Sequence, residues 1–413
     1  MLDIWPALPL VIYSYGLPST RNLFNGLGST RSLNNVVAAL KCSDRVCQII
    51  LMISRVLEWK SYLAAMKQPF PELTMLRIIL SEDGFRVTNT VVPDSFLGRF
   101  APRLELLELH GILFPGLPKL LLSATRLVEL RLYNIPHSGY ISPDAMVAAL
   151  SNLTSLEYLS LYFTSPESCP DLETRRPPPL TRSVLPTLKY FAFKGASEYL
   201  EDLLTDIDAL QLNKLEITFF NDILLDTPQL IQFISRTPIS SALEKLENAH
   251  IALKDDNARV IFRPHNYASG FVLYVSIICE GLDWQLSSLE QVCTSCLPFL
   301  STLKDVYIHE HPKWQPDWED KIENRVWLEL LHSFITMKDL YISKSIAPHI
   351  GPALQEGRTT NVLPTLENIF LEGLESSGPV QKEIGQFLAA RQISGHPVTI
   401  SHWENSEKDK NYG

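Results

Sequence analysis

The feature that most restricts the fold is a phrase used twice between residues 101 and 136, APRLELLELHGILFPGLPKLLLSATRLVELRLYNIP. Leu104, Leu107 and Leu109 precede Ile112; Leu127, Leu130 and Leu132 precede Ile135. Both copies read L-x-x-L-x-L-x-x-I, and the apolar run 117–122 between them suits a short returning helix. A strand and a helix that recur at fixed spacing are the sequence mark of a leucine-rich repeat.

The phrase extends in both directions. Upstream it reads Leu73, Leu76, Ile78 and, more faintly, Val46, Ile49, Leu51. Downstream come Leu156, Leu159, Leu161, then Leu188, Phe191, Phe193, then Leu212, Leu215, Ile217. Weaker copies start at Leu243 (with Leu246) and at Val272, Val275, Ile277. The pattern recovers at Leu303, Val306, Ile308, at Met337, Leu340, Ile342 and at Leu366, Ile369, Leu371, with a closing strand at 398–400. Successive copies lie 23 to 34 residues apart. The intervening segments 143–150, 198–207, 228–235, 286–293, 326–334 and 380–390 carry apolar residues at helical spacing, and Ser142 before Pro143 reads as an N-cap. The expected fold is therefore an α/β leucine-rich-repeat-like solenoid with a curved parallel sheet and helices on its convex side. It divides into an N-terminal cap and linker (1–45), the solenoid (46–403) and a polar disordered tail (404–413). Residues 13–35, rich in Gly, Ser and Asn, read as a long loop, and the proline-rich 165–186 as an exposed extended one.

Charge and cysteine usage narrow the function. A formal net charge of −10 over 413 residues speaks against a nucleic-acid binder or a binder of anionic membranes. No run reaches the roughly 18 apolar residues of a membrane span. Six cysteines, too few for a disulfide scaffold, fit a reducing intracellular compartment, cytoplasmic or nuclear. The CxxC at Cys293 and Cys296 lacks the second ligand pair that zinc wants, although His309 and His311 follow it, and it lacks a thioredoxin-like context. No metal, cofactor or catalytic constellation is expected. The polar run 309–325, with Trp314 and Trp318 among charges, stands outside the repeat pattern.

Strand geometry selects the candidate binding residues. In L-x-x-L-x-L the fourth and sixth side chains point to the core, whereas the third, fifth and seventh point to the other, concave face. The fifth positions read Glu108, Arg131, Ser160, Ala192, Glu216, Glu247, Ser276, Tyr307, Tyr341 and Phe370. The last three form an aromatic row. Tyr133, Tyr158, Tyr162 and Tyr190, from third and seventh positions, form a second group. Exposed tyrosines favour protein contact over folding, so both groups are expected to meet a protein partner.

Further segments carry a family likeness: LDIWPALPLVI (2–12), DRVCQIIL (44–51), PFPELTMLRI (69–78), LLSATRLVELRLYNIPHSGYISPDAM (121–146), RRPPPLTRSVLPTLKYFAFKG (175–195), EYLEDLLTDIDA (198–209), SSLEQVCTSCLPFLSTLKDVYI (287–308) and LPTLENIFLEGL (363–374). In these the chain resembles the fungal, mainly basidiomycete, F-box proteins with degenerate leucine-rich repeats. The resemblance implies the substrate-recognition repeats of a cullin-RING ubiquitin ligase receptor. The F-box of such proteins, of the L-P-x-E-[IL]-L type, docks the Skp adaptor; no such segment occurs in this sequence, so adaptor docking is not expected of it. The alternatives are a stand-alone repeat scaffold and a metal- or redox-active protein using the CxxC. Ile112 and Ile135, where such repeats usually place an asparagine that bonds the backbone, imply an irregular solenoid.

Overall fold

The computed structural model describes residues 8–15, 28–80, 91–166, 181–220, 227–263, 272–279, 281–296, 303–310, 323–356, 363–373 and 379–404. The chain forms two compact units, Met1–Leu212 and Asn213–Gly413, each an α/β body built on a mostly parallel sheet.

In the first unit the elements run β1 (Leu10–Tyr15), α1 (Gly28–Leu40), β2 (Val46–Ile53), α2 (Val56–Ala65), β3 (Met75–Leu80), β4 (Leu106–His110), α3 (Leu117–Leu121), β5 (Glu129–Ile135), α4 (Pro143–Leu150), β6 (Tyr158–Phe163), β7 (Ser183–Val184), β8 (Tyr190–Gly195), α5 (Ser197–Asp206) and β9 (Ile207–Asp208). Strands β1 to β6 and then β8 lie side by side in sequence order, all parallel, while β7 and β9 pair separately. Register follows the repeated phrase: Leu76, Leu107, Leu130, Leu159 and Phe191 are successive partners, and all are fully buried. The sixth positions Ile78, Leu109, Leu132, Leu161 and Phe193 form the next ladder, also buried. Each such side chain stabilises the fold by about 1.5–3 kcal/mol relative to exposure. The helices cover this side of the sheet: Tyr199 of α5 stacks on the sixth-position Phe193 with ring centroids 5.8 Å apart, and its hydroxyl donates to the Ile141 carbonyl at 3.0 Å. The expected cap at α4 is present, with Ser142 Oγ accepting from Ala145 N–H at 3.3 Å.

In the second unit come β10 (Lys214–Phe220), α6 (Pro228–Ser235), α7 (Pro238–Leu243), β11 (Asn248–Lys254), β12 (Asn257–Phe262), β13 (Leu273–Ile278), α8 (Leu282–Gln291), β14 (Asp305–Glu310), α9 (Asn324–His332), β15 (Asp339–Ile342), α10 (Ala347–Glu356), β16 (Asn368–Glu372), α11 (Pro379–Ile393) and β17 (Thr399–Trp403). Their order is β10-β13-β12-β11-β14-β15-β16-β17.

Four expectations need correction. The sheet is not wholly parallel: β12 runs antiparallel to both β11 and β13. The two-residue connection Asp255-Asp256 lets β12 fold straight back as a hairpin, which a parallel neighbour cannot do. The phrase placed at Leu243 starts three residues too early. Leu243 closes α7, and the buried trio is Leu246, Ala249, Ile251; the small Ala249 at the fourth position hid it. In the phrase at Val272 the lateral register differs by two, because Leu215 pairs with Leu273 and Glu216 with Tyr274. Finally, residues 28–40 are helical although 13–35 reads as a loop, and β1, within the N-terminal segment 1–45, pairs with β2.

Where an asparagine ladder is absent, threonine bridges the repeats. Thr187 Oγ1 donates to the Leu156 carbonyl, Thr336 Oγ1 to Leu303 and Thr365 Oγ1 to Met337, each at 2.9 Å. In every case the threonine precedes a first-position residue and reaches the first-position carbonyl of the preceding copy. That acceptor would otherwise lie unpaired at the strand entrance.

Candidate functional site

The outward positions of the second unit line up strand by strand. The fifth-position row runs Glu216, Tyr274, Ile261, His250, Tyr307, Tyr341, Phe370, Ser401, each the register partner of the next. Four of these are consecutive rings in one stack. His250 lies 4.4 Å from Tyr307 at 10°, Tyr307 4.2 Å from Tyr341 at 12°, and Tyr341 4.4 Å from Phe370 at 7°. These spacings are shorter than the 4.7–4.9 Å between strands, so the rings lean into face-to-face contact. Trp403 of β17 meets the stack at steep angles, 5.9 Å from Tyr307 and 5.6 Å from Tyr341. Tyr307, Tyr341 and Phe370 are half-buried, and His250 is buried. They are thus less exposed than an isolated strip of rings would be, and on β11 the neighbouring outward side chains Asn248 and Ala252 are buried with His250. His250 replaces Glu247 as the fifth-position residue of β11; Glu247 instead precedes the strand, where its carbonyl accepts from Lys304 and Asp305 N–H and its carboxylate pairs with Lys304. Likewise Tyr274, not Ser276, stands in this row, beside Arg259 at 6.0 Å from its ring centroid.

A polar row runs parallel to the stack in the third positions: Asn248, Asp305, Asp339, Asn368, Thr399. Asn368 Nδ2 donates to Asp339 Oδ1 at 2.7 Å, and Thr399 Oγ1 donates to Asn368 Oδ1. Asp305 and Asp339 stand side by side. Burial pushes the Asp305 carboxyl up to about 6, helped by the negative charges of Asp339 and Glu247 and by a hydrogen bond to Asp339; Lys304 opposes this. The seventh positions add buried His309, whose Nδ1 lies 3.2 Å from the Glu310 carbonyl, and Ser343, whose hydroxyl donates to Glu310 Oε2 at 3.1 Å.

The outward face of the first unit has a different character. Its fifth-position row is ionic: Arg77, Glu108, Arg131, then Ser160 and Ala192. Glu108 is buried and holds Arg77 at 2.8 Å, His110 at 2.9 Å and Arg131 at 3.8 Å. Burial alone would raise its carboxyl, but the His110 hydrogen bond and the Arg77 charge outweigh that and hold it below the usual carboxylate range. The four tyrosines expected to form one group instead form two pairs. Tyr133 lies 5.0 Å from Tyr162 and continues to His110 at 4.6 Å; Tyr158 lies 6.0 Å from Tyr190. The third and seventh positions of β6 lie on either side of the fifth, so Ser160 separates the pairs. Tyr158 is exposed; the other three are half-buried.

Cys293 is buried at the end of α8, and no group of three or more His, Cys, Asp or Glu among the described residues is arranged to hold a metal. The Cys296 side chain, Cys169, His311, Trp314, Trp318 and the tail 405–413 lie outside the described residues. No helix among the described residues is long and apolar enough to cross a membrane. The chain matches no protein-family model and no curated protein.

Sequence reading found Tyr307, Tyr341 and Phe370 but not His250, Trp403 or the acid pair. The signal for the pair was present: Leu303-Lys304-Asp305 and Met337-Lys338-Asp339 place an aspartate at the same third position in consecutive repeats.

Proposed function

We propose that this protein is a non-catalytic protein-interaction module whose partner docks on the outward sheet face of the second unit. The observation that carries the reading is the in-register stack of His250, Tyr307, Tyr341 and Phe370, capped by Trp403. The fourth and sixth positions of these strands fill the core beneath, while Tyr307, Tyr341 and Phe370 stay half-buried on the other face. Aromatic clusters with polar tips are what protein interfaces use as anchors. The Tyr133–Tyr162 and Tyr158–Tyr190 pairs are secondary contacts in the same reading.

The repeated register and the threonine bridges support a leucine-rich-repeat-like solenoid, with this face concave. The family resemblance supports a role as the substrate-recognition repeats of a ubiquitin-ligase receptor, in an intracellular compartment; Skp docking is not assigned to these residues. Partners would be proteins, not nucleic acids or membranes, in keeping with the net charge of −10.

The test is a titration. A protein retained by the full chain is purified and its affinity measured for wild type and for Tyr307→Ala/Tyr341→Ala. The expected loss is about 2 kcal/mol or more, the scale of interface hot spots. An unchanged affinity for a folded double variant removes the stack from the interface.

A further inference from the structure

The strands at the two ends of the sheet order are finished differently. β17 is followed by Glu404 and by a sequence rich in Glu, Lys and Asp, charges of the kind that discourage edge pairing. β1 has no such protection. Its residues L-V-I-Y-S-Y hold no charge and no proline. Its one register irregularity lies at the start, between Leu10 and Val11, and leaves 11–15 evenly paired with β2. Among the described residues β2 is the one strand neighbour of β1. The outward side chains of β1 are open: Val11 is 59% exposed and Tyr13 51%, with Leu8 just ahead at 57%. Ile12, which alternates with them, is buried in the core. Helix α1 packs beside β1, and its exposed residues Asn34, Asn35 and Ala38 are also small and uncharged. The charge pattern shows what can cover this end. The chain carries 46 acidic residues, yet none occurs from residue 4 to residue 43, where the charges are Arg21, Arg31 and Lys41. A molecule of net charge −10 repels its own copies over most of its surface. Here two copies can meet without bringing acids together.

We infer that β1 is a dimer edge: a second copy of this chain pairs with it, β1 to β1 and antiparallel about a twofold axis, so that the sheet of the first unit continues into its partner. The inference is independent of the sheet-face reading above. A twofold axis makes the contact self-complementary and closed, so pairing stops at two copies. The unpaired N–H and C=O groups of the edge bond each other in place of water, and Val11 and Tyr13 gain cross-strand neighbours. The two α1 helices come to lie side by side, where Asn34, Asn35 and Ala38 leave room for close approach. Strand and helix match in length: six residues of β1 and 13 of α1 each span about 20 Å. An end layer of roughly 20 Å by 20 Å buries on the order of 1,000 Å² over both copies, the lower bound for a specific interface. The dimer is therefore expected to dissociate at a concentration on the order of 10 µM.

The test is sedimentation of the full chain from about 1 to about 200 µM, a range that brackets the expected constant. Wild type should pass from monomer to dimer and go no further. Val11→Lys/Tyr13→Lys places like charges on both copies at half-exposed positions, and should weaken the dimer at least about tenfold. Tyr307→Ala/Tyr341→Ala should leave it unchanged. A second measurement needs no variant: hydrogen exchange of the wild-type amides of residues 10–15 should slow as concentration rises, while that of 399–403 stays constant. A wild type that remains monomeric throughout overturns the proposal. So does a dimer that the folded lysine variant forms as well as wild type, or one whose formation leaves exchange in 10–15 untouched, since another surface then holds it. A monomer whose 10–15 amides become protected only when a purified partner protein is added also overturns it, and makes β1 the site of a foreign strand.

Discussion

The two units are written with the same repeat phrase yet finish their outward faces in opposite ways. In the first, the fifth-position row neutralises itself: Glu108 is enclosed by Arg77, His110 and Arg131. In the second, the same positions carry stacked rings, and the row beside them sets two aspartates next to each other. The first face consumes its charges in folding. The second leaves half-buried aromatic area and two neighbouring carboxyls on its outward face. Equivalent core positions thus fix the scaffold, while the residues between them give each face its own chemistry.

The largest expected effect sharpens that contrast. Glu108→Ala leaves Arg77 and Arg131, each about a third exposed, without their shared anion, although Arg131 keeps Glu129 as a partner. It should destabilise the protein by about 2–3 kcal/mol, less than the cost of breaking a fully buried pair because the arginines reach solvent. Urea denaturation measures it; a loss below about 1 kcal/mol would mean that the ionic row is as dispensable as a surface pair.

A smaller loss is expected in the second unit. Tyr341 sits in the middle of the stack, with ring contacts to Tyr307, Phe370 and Trp403. Replacing it by Ala removes aromatic contacts of about 0.5–1.5 kcal/mol each. The total should stay near 2 kcal/mol, since the core beneath is intact. Global unfolding of this variant would show that the rings belong to the core, and the difference between the two faces would disappear.

The smallest effect has the opposite sign and a pH dependence. The folded state raises the Asp305 carboxyl from 3.8 to about 6, so it binds the proton more tightly than the unfolded chain does. The Asp305 contribution to stability is then fullest below pH 4 and is lost as pH rises through 6, where the ionised carboxyl is disfavoured. Asp305→Asn should therefore stabilise the protein above pH 6, by about 1–2 kcal/mol after discounting the shift for solvent screening, and the gain should fade towards pH 4. Glu108 works the other way. Its folded carboxyl titrates below its ordinary 4.5, so its contribution is present above that pH and disappears as pH falls through the lower folded value. Denaturation curves of Asp305→Asn and Glu108→Gln between pH 4 and 8 should diverge from wild type in opposite directions.

Much of the scaffold was legible because leucine, isoleucine and phenylalanine recur at the spacing of a half-buried strand; Leu107, Leu130, Leu159 and Leu215 are all fully buried strand residues. What escaped detection did so for physical reasons. Ala249 fills a core position with a methyl group, so the register of β11 slipped and concealed His250. The antiparallel β12 reads as a run of apolar and polar residues like any parallel strand, and only the tight Asp255-Asp256 turn marks it. The helix over 28–40 has few strong apolar side chains, among them Val36 and Leu40, which are buried. In the candidate site, Tyr307, Tyr341 and Phe370 stood out as similar residues at equivalent positions. Trp403 did not, because its contact with them comes from the length and angle of one side chain.

The central claim is that the outward face of the second unit, rather than that of the first, is the docking surface. It is tested most directly by the affinity of one purified partner for two double variants, Tyr307→Ala/Tyr341→Ala and Tyr133→Ala/Tyr162→Ala, both shown to be folded. The account predicts a loss of about thirtyfold or more for the first, equivalent to about 2 kcal/mol, and a change of less than about fivefold for the second. Equal losses, or a larger loss from the Tyr133 and Tyr162 pair, would contradict it.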